Sequence, residues 1–371
     1  MLKEMIKIEN HTATDWVAQA VEVLSRGGVV AFPTETVYGL AVVPGVPGAL
    51  EKLNRLKIRP AEKPYTLHIG SPDKFFNYVP NPPWPGRVLA RKAWPGPLTL
   101  VVEMTEEQIR ECRKKFGTLF DKLYHENSIG IRCPDHPVAI SLLTNCDMPI
   151  VAPSANPADQ PPALDARQVE NYFGDQVDLI LDAGPVKYRK ASTVVKVNQC
   201  DYTVVREGII DSRTVDRLAQ FTILFVCSGN TCRSPMAQGL GRKILERLIH
   251  CPQEDFARLK INILSAGTGA GWSLPPSQSA VAAVGELGVD ISEHRSQPVT
   301  AKLVNQADMI FVMSREHKEF ICELVPGVGN RIKLLAEAGI SDPIGGSDQN
   351  YRTCARNIEK HIEARLKELL E

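Results

Sequence analysis

The sequence predicts an α/β chain of two domains. The first is a mixed, twisted, β-rich α/β domain, and the second is built on a four-stranded parallel sheet. Three observations carry this. The chain has 371 residues, more than one hydrophobic core usually serves. From residue 222 onward, apolar strand-like runs alternate with helical patterns, the mark of repeated β-α units covered on both faces. Before that point short β-branched runs are separated by Pro- and Gly-containing turns. The expected boundaries are a first domain over 1–211, a linker over 212–221 and a second domain over 222–371.

In the first half, apolar residues at helical spacing between Asp15 and Arg26 (Trp16, Val17, Ala20, Val21, Leu24) stop at Gly27-Gly28. Strands are expected over 29–32, 65–69, 94–103, 128–134, 149–153, 177–182, 192–197 and 202–206, with a polar turn over 33–40. Helices are expected over 48–56 and most of 105–127, whose charge marks a solvated face, and a short one over 211–220. In the second half, the predicted strands are 223–226, 261–265, 307–313 and 331–335. Helices should start at Ser234-Pro235 and cover 277–287, 314–324 and 350–370.

Composition narrows the function. Lys plus Arg and Asp plus Glu number 43 each, so no overall field favours nucleic acid or a membrane. No run approaches ~18 apolar residues, and the N-terminus lacks the apolar core of a signal peptide. No membrane partner is therefore expected. Nine cysteines are scattered without a framework. Only Cys227 and Cys232 lie close together, so no metal site is expected, and a thiol that must stay reduced points to the cytoplasm.

The sharpest motif is Ile223-Leu-Phe-Val-Cys-Ser-Gly-Asn-Thr-Cys-Arg-Ser-Pro235. A buried strand runs into a short loop and then a helix carrying Met236, Leu240, Ile244 and Leu248 on one side. Backbone N–H groups and the helix dipole favour an anion there. Positive potential stabilises the thiolate of Cys227, and Arg233 offers a planar fork to two phosphate oxygens. Ser228, Gly229, Asn230, Thr231, Cys232 and Ser234 complete the loop, Asn230 holding its shape and Ser234 bonding the thiolate. Asp342-Pro343, after the fourth strand, supplies a general acid at the same end of the sheet. Cys232, five residues from Cys227, is either a reversible disulfide partner or a packed thiol.

Nearly all of Thr34, Lys57, Arg59, Lys63, His68, Arg132, Ser154, Asn156, Ser192 and Arg206 sit at strand ends or in adjoining loops of the first half. Three basic residues at 57, 59 and 63 suit a polyphosphate, and the hydroxyls and amides suit a nucleotide or amino acid. With no Walker-type loop and no Gly-x-Gly-x-x-Gly, a P-loop kinase or Rossmann enzyme is disfavoured. The residues alone lead to a concave anion-binding α/β domain.

Eight blocks in order extend this: Phe-Pro-Thr-Glu-Thr-Val-Tyr-Gly-Leu (32–40), Lys-x-Arg-Pro (57–60), Lys-Pro-x-x-x-His-Ile (63–69), Trp-Pro-Gly-Pro-Leu-Thr-Leu (94–100), Ile-Arg-Cys-Pro-Asp-His-Pro (131–137), Ala-Pro-Ser-Ala-Asn-Pro (152–157), Ser-Thr-Val-Val (192–195) and Arg-Glu-Gly (206–208). Residues 10–210 resemble the YrdC-like threonylcarbamoyl-AMP synthases. The resemblance implies condensation of L-threonine, bicarbonate and ATP, with magnesium, to threonylcarbamoyl-AMP and pyrophosphate. The product would serve N6-threonylcarbamoyladenosine formation at tRNA position 37 through downstream transferring enzymes. It also implies that Thr34, His68, Arg132, Ala152 and Ser192 hold threonine, and that Lys57, Arg59, Lys63, Ser128, Ser154, Asn156 and Arg206 hold ATP. A nucleotide- or double-stranded-RNA-binding module without synthase activity is the alternative.

Residues 222–371 resemble the low-molecular-weight protein tyrosine phosphatases, which implies a flavodoxin-like sheet and a cofactor-free reaction on a phosphorylated protein. The shared marks are Val-Cys-x-Gly-Asn-x-Cys-Arg-Ser-Pro (226–235), Ser-Ala-Gly-Thr (265–268), His-Arg (294–295), Ala-Asp-x-Ile-x-x-Met (307–313) and Asp-Pro (342–343). Thr231 and Ile344-Gly345-Gly346 resemble the protein-arginine-phosphatase branch. A threonine hydroxyl can bond a guanidinium, whereas Ile-Gly-Gly gives a phenyl ring little to stack on. Trp272 leaves phosphotyrosine as the alternative.

Overall fold

The computed structural model describes residues 4–10, 12–58 and 65–370. Arg59 and Lys63, expected at the first half's anion site, lie outside the described residues. The chain divides into two compact units, Met1–Ala219 and Gln220–Glu371.

The first unit contains β1 (Glu4–Lys7), β2 (Val30–Pro33), β3 (Tyr38–Ala41), β4 (Leu67–His68), β5 (Leu98–Glu103), β6 (Ser128–Arg132), β7 (Ile150–Val151), β8 (Leu179–Asp182), β9 (Thr193–Asn198) and β10 (Asp201–Arg206). They form one sheet of order β1-β8-β2-β3 and another of order β10-β9-β5-β6-β4-β7. Both mix parallel and antiparallel pairs, as a mixed twisted domain requires. The β4 ladder outlasts its two formal residues: Ile69 N–H donates to Arg132 C=O (2.9 Å) and Ala152 N–H to Thr66 C=O (3.0 Å). The expected polar turn over 33–40 is instead a β2–β3 hairpin. Thr34 closes its loop by accepting from the Thr36 and Val37 N–H groups (3.2 Å each).

Helix Ala13–Ser25 is capped by Thr12 and buries Trp16, Val17, Ala20 and Leu24. Over 105–127, helix Glu106–Phe116 starts in a Thr105/Gln108 capping box and buries only Cys112, a solvated face as expected. Aromatic stacking pins the segment down: Phe116 on Tyr78 at 5.4 Å and Phe120 on Tyr124 at 4.4 Å between ring centroids. The short helix expected over 211–220 is helix Ser212–Ala219, which takes up most of the expected linker and buries Val215 and Ala219 in the first unit's core. The sequence pattern did not announce β1 or helices Trp84–Ala93, Pro137–Asn145 and Ala166–Phe173.

In the second unit β11 (Phe221–Cys227), β12 (Ile261–Gly267), β13 (Met309–Val312) and β14 (Ile332–Leu334) form a parallel sheet of order β12-β11-β13-β14. All seven residues of β11 are buried, because both of its faces are covered. Leu224 and Val226 join the cluster of Val304 and Ile321, from helices Ala301–Gln306 and Arg315–Leu324. Phe225, pointing the other way, approaches Gly241 in helix Arg233–Ile249. Helix Asp348–Leu370 packs on that same helix. The parallel order puts Cys227, the last residue of the central β11, at the carboxyl end of the sheet, where such folds bind ligands.

Candidate active sites

In the second unit the loop after β11 is held by one side chain. Asn230 is fully buried and left-handed (φ 54°), a conformation asparagine tolerates better than most residues. Its Nδ2 donates to Ser234 Oγ and Ser265 Oγ (both 2.9 Å), and its Oδ1 accepts from Gln297 N–H (2.8 Å). His294 Nε2 lies 2.9 Å from its carbonyl oxygen. With the loop so folded, Asn230 N–H points at Cys227 Sγ (3.3 Å) and Ser234 Oγ lies 3.0 Å from the same sulfur. The end of β12 passes directly beneath. A Cβ on Gly267 would sit 2.4 Å from Ser228 C=O, so only glycine fits there.

Arg233 opens the following helix and is nearly buried. Its Nη1 donates to Ile340 C=O (3.1 Å), while Nη2 donates to Ser228 Oγ (3.3 Å) and pairs with Asp342 Oδ2. Asp342 is more exposed, its side chain retaining 38% of its accessible surface against 7% for Arg233. The arginine is thus fixed and the carboxylate peripheral. Burial holds both His294 and His317 below the ordinary histidine range. Cys232, capping the helix, rests against Ser277 Oγ (3.2 Å) and Tyr351 OH (3.6 Å).

The first unit gathers a second polar cluster where β4, β5, β6 and β9 meet. Arg132 ends β6 as the register partner of both His68 on β4 and Thr99 on β5. It is buried, and its Nη2 donates to Glu35 Oε1 (2.8 Å) and Thr36 Oγ1 (2.7 Å), with Thr34 Oγ1 at 3.5 Å. Among the described residues its Nε is buried without a partner, a donor available to a ligand. His68 is pushed down to about 3 by burial, then by Arg132, so its ring is neutral. Its Nδ1 sits 3.1 Å from Thr66 C=O, which leaves Nε2 as an acceptor. Thr99 Oγ1 meets Ser192 Oγ at 2.9 Å, and Arg206 Nη2 donates to Ser192 C=O at 2.9 Å. Burial, then repulsion from Arg132, lowers Arg206, which places two cations on one cluster.

Residues 22–208 match the Sua5/YciO/YrdC family model, described as Telomere recombination, and residues 222–371 match the model for low-molecular-weight phosphotyrosine protein phosphatases. The threonylcarbamoyl-AMP synthase of Pyrococcus abyssi is 30% identical over 195 residues, 53% of this chain and 54% of that protein. A Ralstonia solanacearum protein named as the low-molecular-weight protein-tyrosine-phosphatase EpsP is 36% identical over 146 residues, 38% of this chain and 92% of its own. The chain belongs to both families, one in each unit. It spans about half the length of the first curated synthases it matches. The solved structure of a P. abyssi Sua5 variant shares the fold, with a TM-score of 0.51 at 21% identity over 72% of this chain and 92% of that one.

Within the YrdC-like unit, Thr34, His68, Arg132, Ser192 and Arg206 come together. Ala152 lies beside them with its N–H already given to Thr66 C=O. Lys57, Ser154 and Asn156 form a neighbouring knot. The Lys57 ammonium donates to Ser154 C=O (2.8 Å), Asn156 C=O (2.5 Å) and Asn156 Oδ1 (3.1 Å). Ser128 stands apart from Arg132, opposite Glu103 at the other end of β6, with its hydroxyl on His125 C=O (3.0 Å). That separation is about 13 Å along the strand. In the phosphatase unit Cys227, Arg233, Asp342 and Ser234 converge, whereas Thr231 joins through its backbone, its C=O accepting from Ser277 N–H (2.9 Å).

Sequence reasoning gave Glu35, Thr36 and Thr99 no role, though all three lie inside quoted blocks. It assigned no role to His294, Ser265 or Gln297, whose partner Asn230 is 64, 35 and 67 residues away. Replacing Asn230 separates its side-chain role from its backbone role. Asn230→Ala should cost about 2–4 kcal/mol, through orphaned polar groups plus left-handed strain, and Asn230→Gly should recover only about 1 kcal/mol of it. Hydrogen-exchange protection across residues 222–236 measures both. Full recovery in the glycine variant would show that the position needs only the backbone.

Proposed function

We propose that this chain is a bifunctional enzyme: a threonylcarbamoyl-AMP synthase in the first unit and a cysteine-dependent protein phosphatase, acting on phosphoarginine, in the second. Family membership supports the two reaction classes. The convergence of Cys227, Arg233 and Asp342 at the carboxyl end of one parallel sheet is the observation that carries the phosphatase.

In the phosphatase unit Cys227 Sγ attacks phosphorus, with Asn230 N–H and the loop's other amides receiving the phosphoryl oxygens. Arg233 spreads the equatorial charge through its fork. Asp342, released from Arg233 as phosphate takes its place, delivers a proton to the leaving group. Water then attacks the phosphocysteine, returning inorganic phosphate and the free thiol. Exposed Ile344 (71%), with no aromatic beside it in Ile344-Gly345-Gly346, and the Thr231 hydroxyl support a guanidinium rather than a phenyl leaving group. Exposed Trp272 (68%) favours phosphotyrosine as the second reading.

In the synthase unit Arg132, through its unpartnered Nε, holds the threonine carboxylate, and neutral His68 accepts a hydrogen bond at Nε2 from a substrate hydroxyl or ammonium group. Arg206, with Arg59 and Lys63, takes the triphosphate. Catalysis is positioning and charge neutralisation, because no nucleophile from the chain is required. Magnesium arrives on ATP as part of the substrate. Among the described residues no three His, Cys, Asp or Glu side chains are arranged to hold an ion. The product is consumed by enzymes that transfer threonylcarbamoyl to an adenosine of tRNA, which suits a cytoplasmic protein. Among the described residues no helix is long and apolar enough to cross a membrane.

Pyrophosphate release from ATP should require threonine and bicarbonate together. ATP binding without turnover would support the nucleotide-binding reading instead. Cys227→Ser should abolish hydrolysis of both phosphoarginine and phosphotyrosine peptides while inorganic phosphate still binds. With phosphoarginine and phosphotyrosine peptides side by side, wild type should prefer phosphoarginine, and Thr231→Ile should shift the ratio toward phosphotyrosine by about tenfold or more. A ratio unmoved by that change defeats the selectivity argument.

A further inference from the structure

Ser228 and His317, 89 residues apart, meet beside Arg233. Ser228 Oγ lies 2.9 Å from His317 Nε2 and accepts from Arg233 Nη2 at 3.3 Å, and His317 Nδ1 lies 2.9 Å from Ser314 Oγ. The Ser314 hydroxyl, then the Glu316 backbone, hold the exposed Glu316 carboxylate below its usual range.

We propose that His317 is a positioning residue for Arg233, kept neutral with its proton on Nδ1, so that its Nε2 takes the Ser228 proton and turns the Ser228 oxygen toward the guanidinium. The inference rests on the phosphatase reading of that loop, and it follows from counting protons. A guanidinium can only donate. Ser228 Oγ therefore accepts from Arg233, and its single proton has His317 Nε2 as the acceptor among its contacts. With Nε2 the acceptor, the ring proton sits on Nδ1 and is donated to Ser314 Oγ. The bonds run one way, from Arg233 through Ser228 and His317 to Ser314. The reverse tautomer would aim two donors at the Ser228 oxygen and leave the Ser228 proton without an acceptor among its contacts.

The surroundings keep the ring neutral. His317 is 5% exposed. Burial acts first and Arg233, from the loop helix, second, both disfavouring a proton. Glu316 on its own helix and Asp342 from the loop after β14 pull weakly the other way. A second proton would point Nε2–H at Ser228 and set a cation beside Arg233. Because the folded value is depressed, the neutral ring persists below the ordinary histidine range. The chain of bonds is therefore intact at pH 7 and is lost only on further acidification.

Two variants and one spectrum test this. His317→Gln places an amide oxygen where Nε2 stands and keeps the acceptor for Ser228. His317→Asn keeps a donor for Ser314 but does not reach Ser228. With para-nitrophenyl phosphate, His317→Asn should raise KM about tenfold, the worth of a hydrogen bond to a charged group. Its kcat should stay within about threefold, and the affinity for inorganic phosphate should fall in parallel. His317→Gln should return KM to within about threefold of wild type. Equal impairment in both variants, or in neither, would overturn the proposal. Long-range proton–nitrogen NMR of the full chain should show the Nδ1–H tautomer of His317 at pH 7, and an Nε2–H or doubly protonated ring would overturn it without reference to activity. Wild-type inactivity would refute the phosphatase reading, and the tautomer would still decide this inference.

Discussion

A guanidinium nearly withdrawn from water has to be given a counter-charge, and each unit of this chain meets that demand at its polar site. Arg132 is paired with Glu35, and Arg233 with Asp342. The first pair is closed on both sides, with 6% and 3% of the two side chains accessible, and Glu35 is tied further by Asp135 N–H at 3.0 Å. Removing either partner would strand a buried charge, a loss of about 3–5 kcal/mol. The pair is a permanent fixture that sets Arg132 for whatever its Nε meets. In the second pair only the arginine is buried. Asp342 sits on a loop, partly in water, and can leave when another anion arrives. One ion pair therefore makes a scaffold, and the other, in the proposed mechanism, makes an exchangeable seat.

The seat works because the loop around it cannot relax. Asn230 bonds Ser234 in the following helix, Ser265 on β12 and the Gln297 backbone. Three parts of the fold are thus drawn to one buried side-chain amide, and the backbone N–H of the same residue points at Cys227. Ser265 passes the tie on to Gln238 (2.6 Å). Such a network is stiff because any member that moved would leave another unpaired in a dry place. The loop proposed to take the phosphate is therefore preorganised, and binding there need not spend free energy on shaping it.

Much of this was legible from residue order. A parallel β-α alternation, a strand ending at Cys227 and a Pro-marked helix start put the Cys227–Arg233 loop at the carboxyl end of the sheet without coordinates, and Asp342 follows from lying in the loop after the last strand. The β-rich character of the first unit and the strand-end position of His68, Arg132 and Arg206 were equally readable. What the order of residues hides is pairing across distance. Glu35 finds Arg132 97 residues away and Ser228 finds His317 89 residues away, and no local pattern marks either. The hairpin over 30–41 was missed for a related reason. Thr34, Glu35 and Thr36 look like solvated turn residues until the structure supplies buried partners for each.

The account turns on Asp342 and phosphate competing for the same face of Arg233. The affinity of the Asp342→Asn variant for inorganic phosphate, measured by titration calorimetry on the full chain at pH 7, tests that most directly. Removing the carboxylate charge should free the guanidinium, so the variant should bind phosphate several-fold more tightly than wild type even as its turnover falls. Unchanged or weaker binding would mean that the two do not exchange on Arg233, and the account of the seat would be wrong.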